Sequence, residues 1–130
     1  NIGYRTLKQV LKDIKTLSEK EMWTSEKKER ELTTHETIAA GGMIDIYITR
    51  QTINEANTDV FTVIINDENG KEVFRKVLKD DIPEAPSSAN SFWWNYTSIP
   101  IKPLLNGKYH IYIIDKLGGD NTKFKFEINN

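Results

Sequence analysis

A turn followed by a strand of alternating apolar residues constrains the fold of this chain more than any other feature. Leu105 and Gly107 lead the chain through the turn to Tyr109, and Ile111 and Ile113 follow at every second position. Successive side chains of a β-strand point to opposite faces of the sheet. The alternation therefore predicts a strand that buries one face in a core.

Strand-like patterns recur along most of the chain, and turn residues separate them. An Asn-Gly pair within residues 67–70 predicts a tight hairpin, two prolines within residues 80–90 predict a long exposed loop, and residues 117–121 predict a last hairpin. We expect about seven strands, with Ile44, Ile46 and Ile48 on one buried face of the second. The same core is predicted to contain Val63, Ile65, Tyr109, Ile111, Ile113 and Phe126. The predicted strands are a polar run after Leu32 and residues 43–50, 59–66, 71–79, 91–97, 108–115 and 122–129.

The first residues have a helical period instead. The sequence predicts an amphipathic helix whose apolar stripe packs on a sheet or across its open end, or else serves as a stalk or docking helix. Residues 19–31 are read as a charged connector, in which Ser18 and Glu21 could form a capping box. We therefore divide the chain into a helix and connector at residues 1–31 and a β-domain at residues 32–130. The stripe consists of Tyr4, Leu7, Val10, Leu11, Ile14 and Leu17.

The turn before Tyr109 resembles the tyrosine corner of immunoglobulin-like sandwiches, in which the tyrosine hydroxyl bonds back to the corner backbone. The glycine-containing run at residues 38–48 resembles the start of the second strand in bacterial immunoglobulin-like and fibronectin type III-like modules. The resemblance covers about residues 32–130. It implies an all-β fold, an immunoglobulin-like antiparallel β-sandwich of about seven strands preceded by an N-terminal amphipathic α-helix. Leu105, Gly107 and Tyr109 would then be structural residues of the corner.

Charge and composition exclude several function classes. The chain has 18 basic and 19 acidic residues, so no overall field favours nucleic acid. It has no cysteine and no apolar run long enough for a transmembrane segment. Because it begins at Asn1, we interpret it as a processed product that lost a signal peptide or lipoprotein leader. This favours an extracytoplasmic location, in the bacterial periplasm, at the cell surface or secreted, and we expect a monomer.

An aromatic run at residues 92–96 provides the leading candidate site, because tryptophan and tyrosine are enriched at binding hot spots. If polar residues mark the solvent face of this strand, Phe92, Trp94 and Tyr96 point into the core and Trp93 is exposed. The candidate ligand-binding residue is therefore Trp93. Tyr96 and Trp23 join it if the register differs.

Chemistry-bearing residues other than these have simpler explanations. The acids at residues 67–68, 80–81, 115 and 120 lack the spacing of calcium ligands, and we expect no metal and no cofactor. His35 and His110 are expected to be ordinary strand residues, and the glycosylation sequon that begins at Asn95 is assigned no role.

The sequence thus predicts a non-enzymatic interaction or scaffold module of a bacterial cell-envelope or secreted protein. It would bind a protein partner through exposed loops or the N-terminal helix. The alternative is a carbohydrate-binding accessory module that binds a glycan through the aromatic residues around Trp93.

Overall fold

The computed structural model describes residues 1–87, 91–117 and 122–130, and these contain seven strands in two antiparallel sheets together with two α-helices. One sheet has the strand order β1-β2-β5 and the other has the order β4-β3-β6-β7. The predicted number of strands is confirmed. The elements are β1 (Ile2–Arg5), α1 (Leu7–Lys20), α2 (Ser25–Ile38), β2 (Met43–Arg50), β3 (Phe61–Asp67), β4 (Glu72–Val77), β5 (Trp93–Pro100), β6 (Lys108–Asp115) and β7 (Thr122–Asn129).

The second helix, α2, corrects the prediction of an all-β domain after residue 31. The predicted connector and the predicted strand after Leu32 are both wrong, because Ser25–Ile38 is helical. Thr24 caps this helix by accepting a hydrogen bond from the backbone N of Lys27 at 3.1 Å. Glutamate, lysine and arginine favour the helix. The fold is mixed α/β, and the predicted boundary at residues 31 and 32 lies inside α2.

The first helix is confirmed, but it starts later than its stripe suggested. Thr6 and Gln9 form a capping box at its start, whereas the predicted box at Ser18 and Glu21 does not form there, because Ser18 is buried within α1. Tyr4 belongs to β1, where its hydroxyl donates to the backbone oxygen of Gly41 at 2.6 Å. A short strand thus occupies what the helical spacing had assigned to the helix.

The chain divides into two compact units. The helical unit consists of Ile2–Asp45 and Ser98–Leu105, and the sheet unit consists of Asn1, Ile46–Thr97 and Asn106–Asn130. In the helical unit, α1 contacts α2, and its buried face joins a cluster made by Val10, Ile14, Ala39 and Met43, against which Trp23 and Leu32 pack. The centre of the apolar stripe of α1, Val10 and Ile14, is therefore covered within its own unit, whereas Leu17 is exposed.

The sheet unit contains the strands that the sequence predicted best. Strand β3 pairs with both β4 and β6, and β6 pairs with β7, all antiparallel. Of the predicted core, seven residues are buried and two, Tyr109 and Phe126, are half-buried. The buried members, counting Ile44 in the helical unit, are Ile44, Ile46, Ile48, Val63, Ile65, Ile111 and Ile113.

Turn chemistry decides the connections in the sheet unit. The hairpin at residues 67–70 is confirmed: Asp67 accepts from the backbone N of Asn69 and of Lys71 at 2.9 Å, and Gly70 has a φ of +81°. In the loop after β4, Glu84 forms a backbone bridge with Trp94. Most of the last predicted hairpin, residues 118–121, lies outside the described residues. In the described part of the chain, no helix is long and apolar enough to cross a membrane.

Candidate functional site

The aromatic strand β5 has the opposite parity from the prediction. Asn95 is 5 % exposed, whereas Tyr96 is 50 % and Phe92 is 44 % exposed. The expectation that Phe92, Trp94 and Tyr96 all point into the core is therefore wrong. Trp93 shares the face of Asn95 and is half-buried.

Hydrogen bonding explains why the polar residue of this strand lies inside. The side-chain nitrogen of Asn95 donates to the backbone oxygens of Ala56 at 3.2 Å and Asp81 at 3.1 Å. Its side-chain oxygen accepts from the backbone N of Tyr96 at 2.9 Å. A buried amide is stable when its donors and acceptor are paired. Because the Asn95 nitrogen uses both hydrogens in this way, the folded sequon offers no acceptor for a glycan.

An aromatic surface forms on the opposite face of β5, and we define it as Tyr47, Trp94 and Tyr96. The rings of Tyr47 and Trp94 have centroids 6.1 Å apart and planes inclined by 33°. Tyr96 follows Trp94 by two positions and so shares its face of the strand. The backbone of Trp94 is fixed by two hydrogen bonds with Glu84, at 2.7 and 3.1 Å. The surface therefore has a rigid support.

Two candidate residues, Trp93 and Trp23, do not belong to the aromatic surface. Trp23 belongs to the helical unit, where its ring packs on the core and its indole nitrogen donates to Glu21 at 2.9 Å. The ammonium of Lys27 lies 4.4 Å from the centroid of this ring. These contacts account for the position of Trp23 within the unit. Binding roles for Trp93 and Trp23 stay predictions.

The corner before β6 has the predicted hydrogen bonds. The hydroxyl of Tyr109 donates to the backbone oxygen of Asn106 and accepts from its backbone N, both at 3.3 Å. Gly107 has a φ of +109°, a conformation that side chains rarely adopt. Leu105 is buried in the helical unit. All three residues thus have structural surroundings.

We expect Tyr109→Phe to lower the free energy of unfolding by at most about 1 kcal/mol, because it removes two long hydrogen bonds that are exposed to water. Denaturant unfolding measures this change. Tyr112→Phe is the matched control, since the Tyr112 hydroxyl has no hydrogen-bond partner in the described chain. Equal stability of the two variants would contradict a structural role for the corner hydroxyl.

The histidines have ordinary partners. His35 lies in α2 rather than in a strand, and its ring nitrogen is 2.8 Å from the backbone oxygen of Glu31. His110 lies in β6, 3.1 Å from Glu127. The pKa of the exposed Glu127 is lowered, mainly because Lys108 donates a hydrogen bond to it and also because His110 contacts it. Such surface pairs add little stability.

The carboxylates form no common centre in the described residues. Asp115 is buried and pairs with Arg50 at 3.0 Å, and Asp80 accepts from the side chain of Asn57. Asp120 lies outside the described residues. Within residues 1–87, 91–117 and 122–130, no group of three or more histidine or acidic side chains could hold a metal ion.

The sequence did not predict a polar cluster that surrounds Asp45 in the helical unit. The guanidinium of Arg5 donates to both carboxylate oxygens of Asp45, at 2.6 and 2.9 Å, and Ser98 donates to one of them at 2.5 Å. Arg5 also pairs with Asp13 at 3.0 Å. The cluster joins β1, β2, β5 and α1. Residues so far apart in sequence carry no local signal that could have revealed it.

No family model, curated protein or solved structure gives a significant match to this chain. Its class is therefore defined by its own architecture, a mixed α/β fold whose described residues form seven strands in two antiparallel sheets and two α-helices.

Proposed function

We propose that this protein is a non-enzymatic interaction module that binds a protein partner through the aromatic surface. The observation that carries the proposal is the half-exposed ring of Tyr96 beside the Tyr47–Trp94 pair. Large aromatic side chains normally gain stability by burial, and tyrosine and tryptophan dominate binding hot spots when a partner covers them. A supported group in which Tyr47 and Tyr96 are exposed and Trp94 is half-buried is suited to that role.

The geometry of the rings favours a protein over a glycan. The Tyr47 and Trp94 planes are inclined by 33° and lie on two strands, so they do not form one flat plane for a sugar ring. Polypeptide side chains can fill the angle between tilted rings. The N-terminal helix is less suited to docking, because Val10 and Ile14 are buried within the helical unit. Binding to a glycan array, described below, would favour the carbohydrate-binding alternative instead.

The proposal includes an immunoglobulin-like sandwich and an extracytoplasmic location. The corner hydrogen bonds of Tyr109 and the antiparallel order β4-β3-β6-β7 support such a sandwich. The location rests on the resemblance to bacterial immunoglobulin-like modules, and cell fractionation tests it.

We expect a Tyr47→Ala/Tyr96→Ala double variant to lose partner binding by about tenfold or more, because truncating hot-spot rings costs more than 1 kcal/mol each. The measurement selects a displayed random-peptide library on the native protein. The affinities of the selected peptides are then compared by titration with the double variant and with Phe124→Ala, an exposed aromatic control.

Retained folding of the double variant is checked by its melting temperature. Peptides that bind both variants equally well, or a library from which none is enriched, would contradict the proposed function. Binding on a glycan array that depends on Tyr47 and Tyr96, with no enriched peptide, would replace it by the carbohydrate-binding alternative.

A further inference from the structure

We propose a second binding site, independent of the aromatic surface, that accepts a uronic acid unit of an acidic polysaccharide. It is an open cavity of about 320 Å³ on the outer face of the sheet β4-β3-β6-β7, and we name it the Asn66 cavity. Its volume is at the lower end of those of small-molecule sites, which suits a single sugar unit.

The register of three strand pairs places the residues of the cavity on one face. Ile64 of β3 lies opposite both Arg75 of β4 and Tyr112 of β6, and Ile114 of β6 lies opposite Lys123 of β7. At the alternate positions of β3 and β6, Val63, Ile65, Ile111 and Ile113 are fully buried on the other face. The cavity is therefore built by the sheet itself, with a half-buried apolar floor of Ile64, Ile114 and the Tyr112 ring.

Asn66 lines this cavity, and its side-chain oxygen is the feature that points to a ligand. The atom is buried and has no hydrogen-bond partner in the described residues. A buried acceptor without a donor costs stability, and native proteins keep few of them. A rotation of the Asn66 side chain toward the cavity would bring this oxygen within reach of a hydroxyl group of a bound molecule, which would supply the missing donor.

The charge of the rim favours an anion. Arg75 pairs with Glu72 through two contacts, at 3.0 and 2.8 Å, and these two charges offset each other. Lys123 has no ion-pair partner among the residues that the structure describes, and Lys125 lies over the Tyr112 ring at 5.7 Å. The lining of the cavity thus has an excess of one positive charge, that of Lys123, and Lys125, over the Tyr112 ring, adds a second positive charge nearby.

One ligand class combines a hydrogen-bond donor, a negative charge and an apolar face. A uronic acid has hydroxyl donors for Asn66, a carboxylate for Lys123, and an apolar ring face that packs on Ile64 and Tyr112. Neutral sugars lack the carboxylate. An acidic peptide lacks the ring that carries hydroxyl donors and an apolar face together.

Titration calorimetry with trigalacturonate tests the site on the intact chain. We expect binding that weakens with salt and weakens about tenfold or more in Lys123→Gln, a change of about 1.4 kcal/mol. Asn66→Val should also lose binding while keeping or raising the melting temperature, because it removes the unpaired acceptor and suits a strand. Lys76→Gln, on the same sheet outside the cavity, should bind as the native protein does.

Four results would overturn the proposal: no binding of trigalacturonate to the native protein, equal binding of a neutral trisaccharide, an equal loss in Lys76→Gln, or tighter binding of triglutamate, which would indicate a peptide site. If Asn66→Val does not fold, the comparison of Lys123→Gln with Lys76→Gln decides. The aromatic surface takes no part in this test, so either proposal can fail without the other.

Discussion

Replacing Gly41 by alanine is expected to destabilise the protein by about 3 kcal/mol or more, because overpacking against backbone cannot be relieved by a side-chain movement. A Cβ atom at this position would collide with the backbone oxygen of Pro103 and would lie 2.8 Å from a methyl group of Ile101. The backbone N of Gly41 donates to the Ile101 oxygen at 2.8 Å, which holds the two segments together. The close approach therefore requires glycine.

Gly3→Ala is the matched control for this substitution. Gly3 is exposed in β1, and a Cβ there would meet nothing within 4 Å. Thermal unfolding should show a melting temperature roughly 10 °C lower for Gly41→Ala and little change for Gly3→Ala. A Gly41→Ala protein as stable as the control would mean that the segment at Pro103 can move away at little cost.

Replacing Asn95 by alanine is expected to lower the free energy of unfolding by about 3 kcal/mol. The substitution leaves two backbone oxygens and one backbone N–H without the hydrogen bonds that the Asn95 amide makes with them. The side chain ties β5 to the loop before β3 and to the loop after β4, through Ala56 and Asp81. Asn95→Asp should be no more stable than Asn95→Ala at neutral pH, since a carboxylate would face those two backbone oxygens without a hydrogen to donate.

Denaturant unfolding measures both changes, and Asn129→Ala, at an exposed position of β7, provides the control. The Asn95→Ala protein should also bind selected peptides more weakly, because Trp94 and Tyr96 flank the lost anchor. Stability equal to that of Asn129→Ala would show that water replaces all three hydrogen bonds.

The sequence predicted β2, β3, β4, β6 and β7 because the alternation of apolar residues that identifies each strand lies within the strand itself. It failed for β1, since the place of Tyr4 fits a helical stripe as well as a strand, and pairing with the distant β2 decides the outcome. It failed for α2 because this helix buries no residue fully, although Leu32 packs against the cluster, and so it has no apolar period to read.

The candidate site was only partly predictable for a related reason. The run of aromatics identified the correct strand, but the rule that polar residues face solvent failed at Asn95. Its partners come from two loops that no local pattern links to β5. The Asn66 cavity depends on the register of four strands and was not visible in any one of them.

The position of β2 between β1 and β5 has a consequence for the order of folding. The chain between β1 and β2 contains both helices, and the chain between β2 and β5 contains the β3–β4 hairpin, so each pairing must close a long loop. Local contacts form faster than such distant ones. In a newly made chain, the helical pair and the hairpin can therefore form before β2 has paired with both β1 and β5.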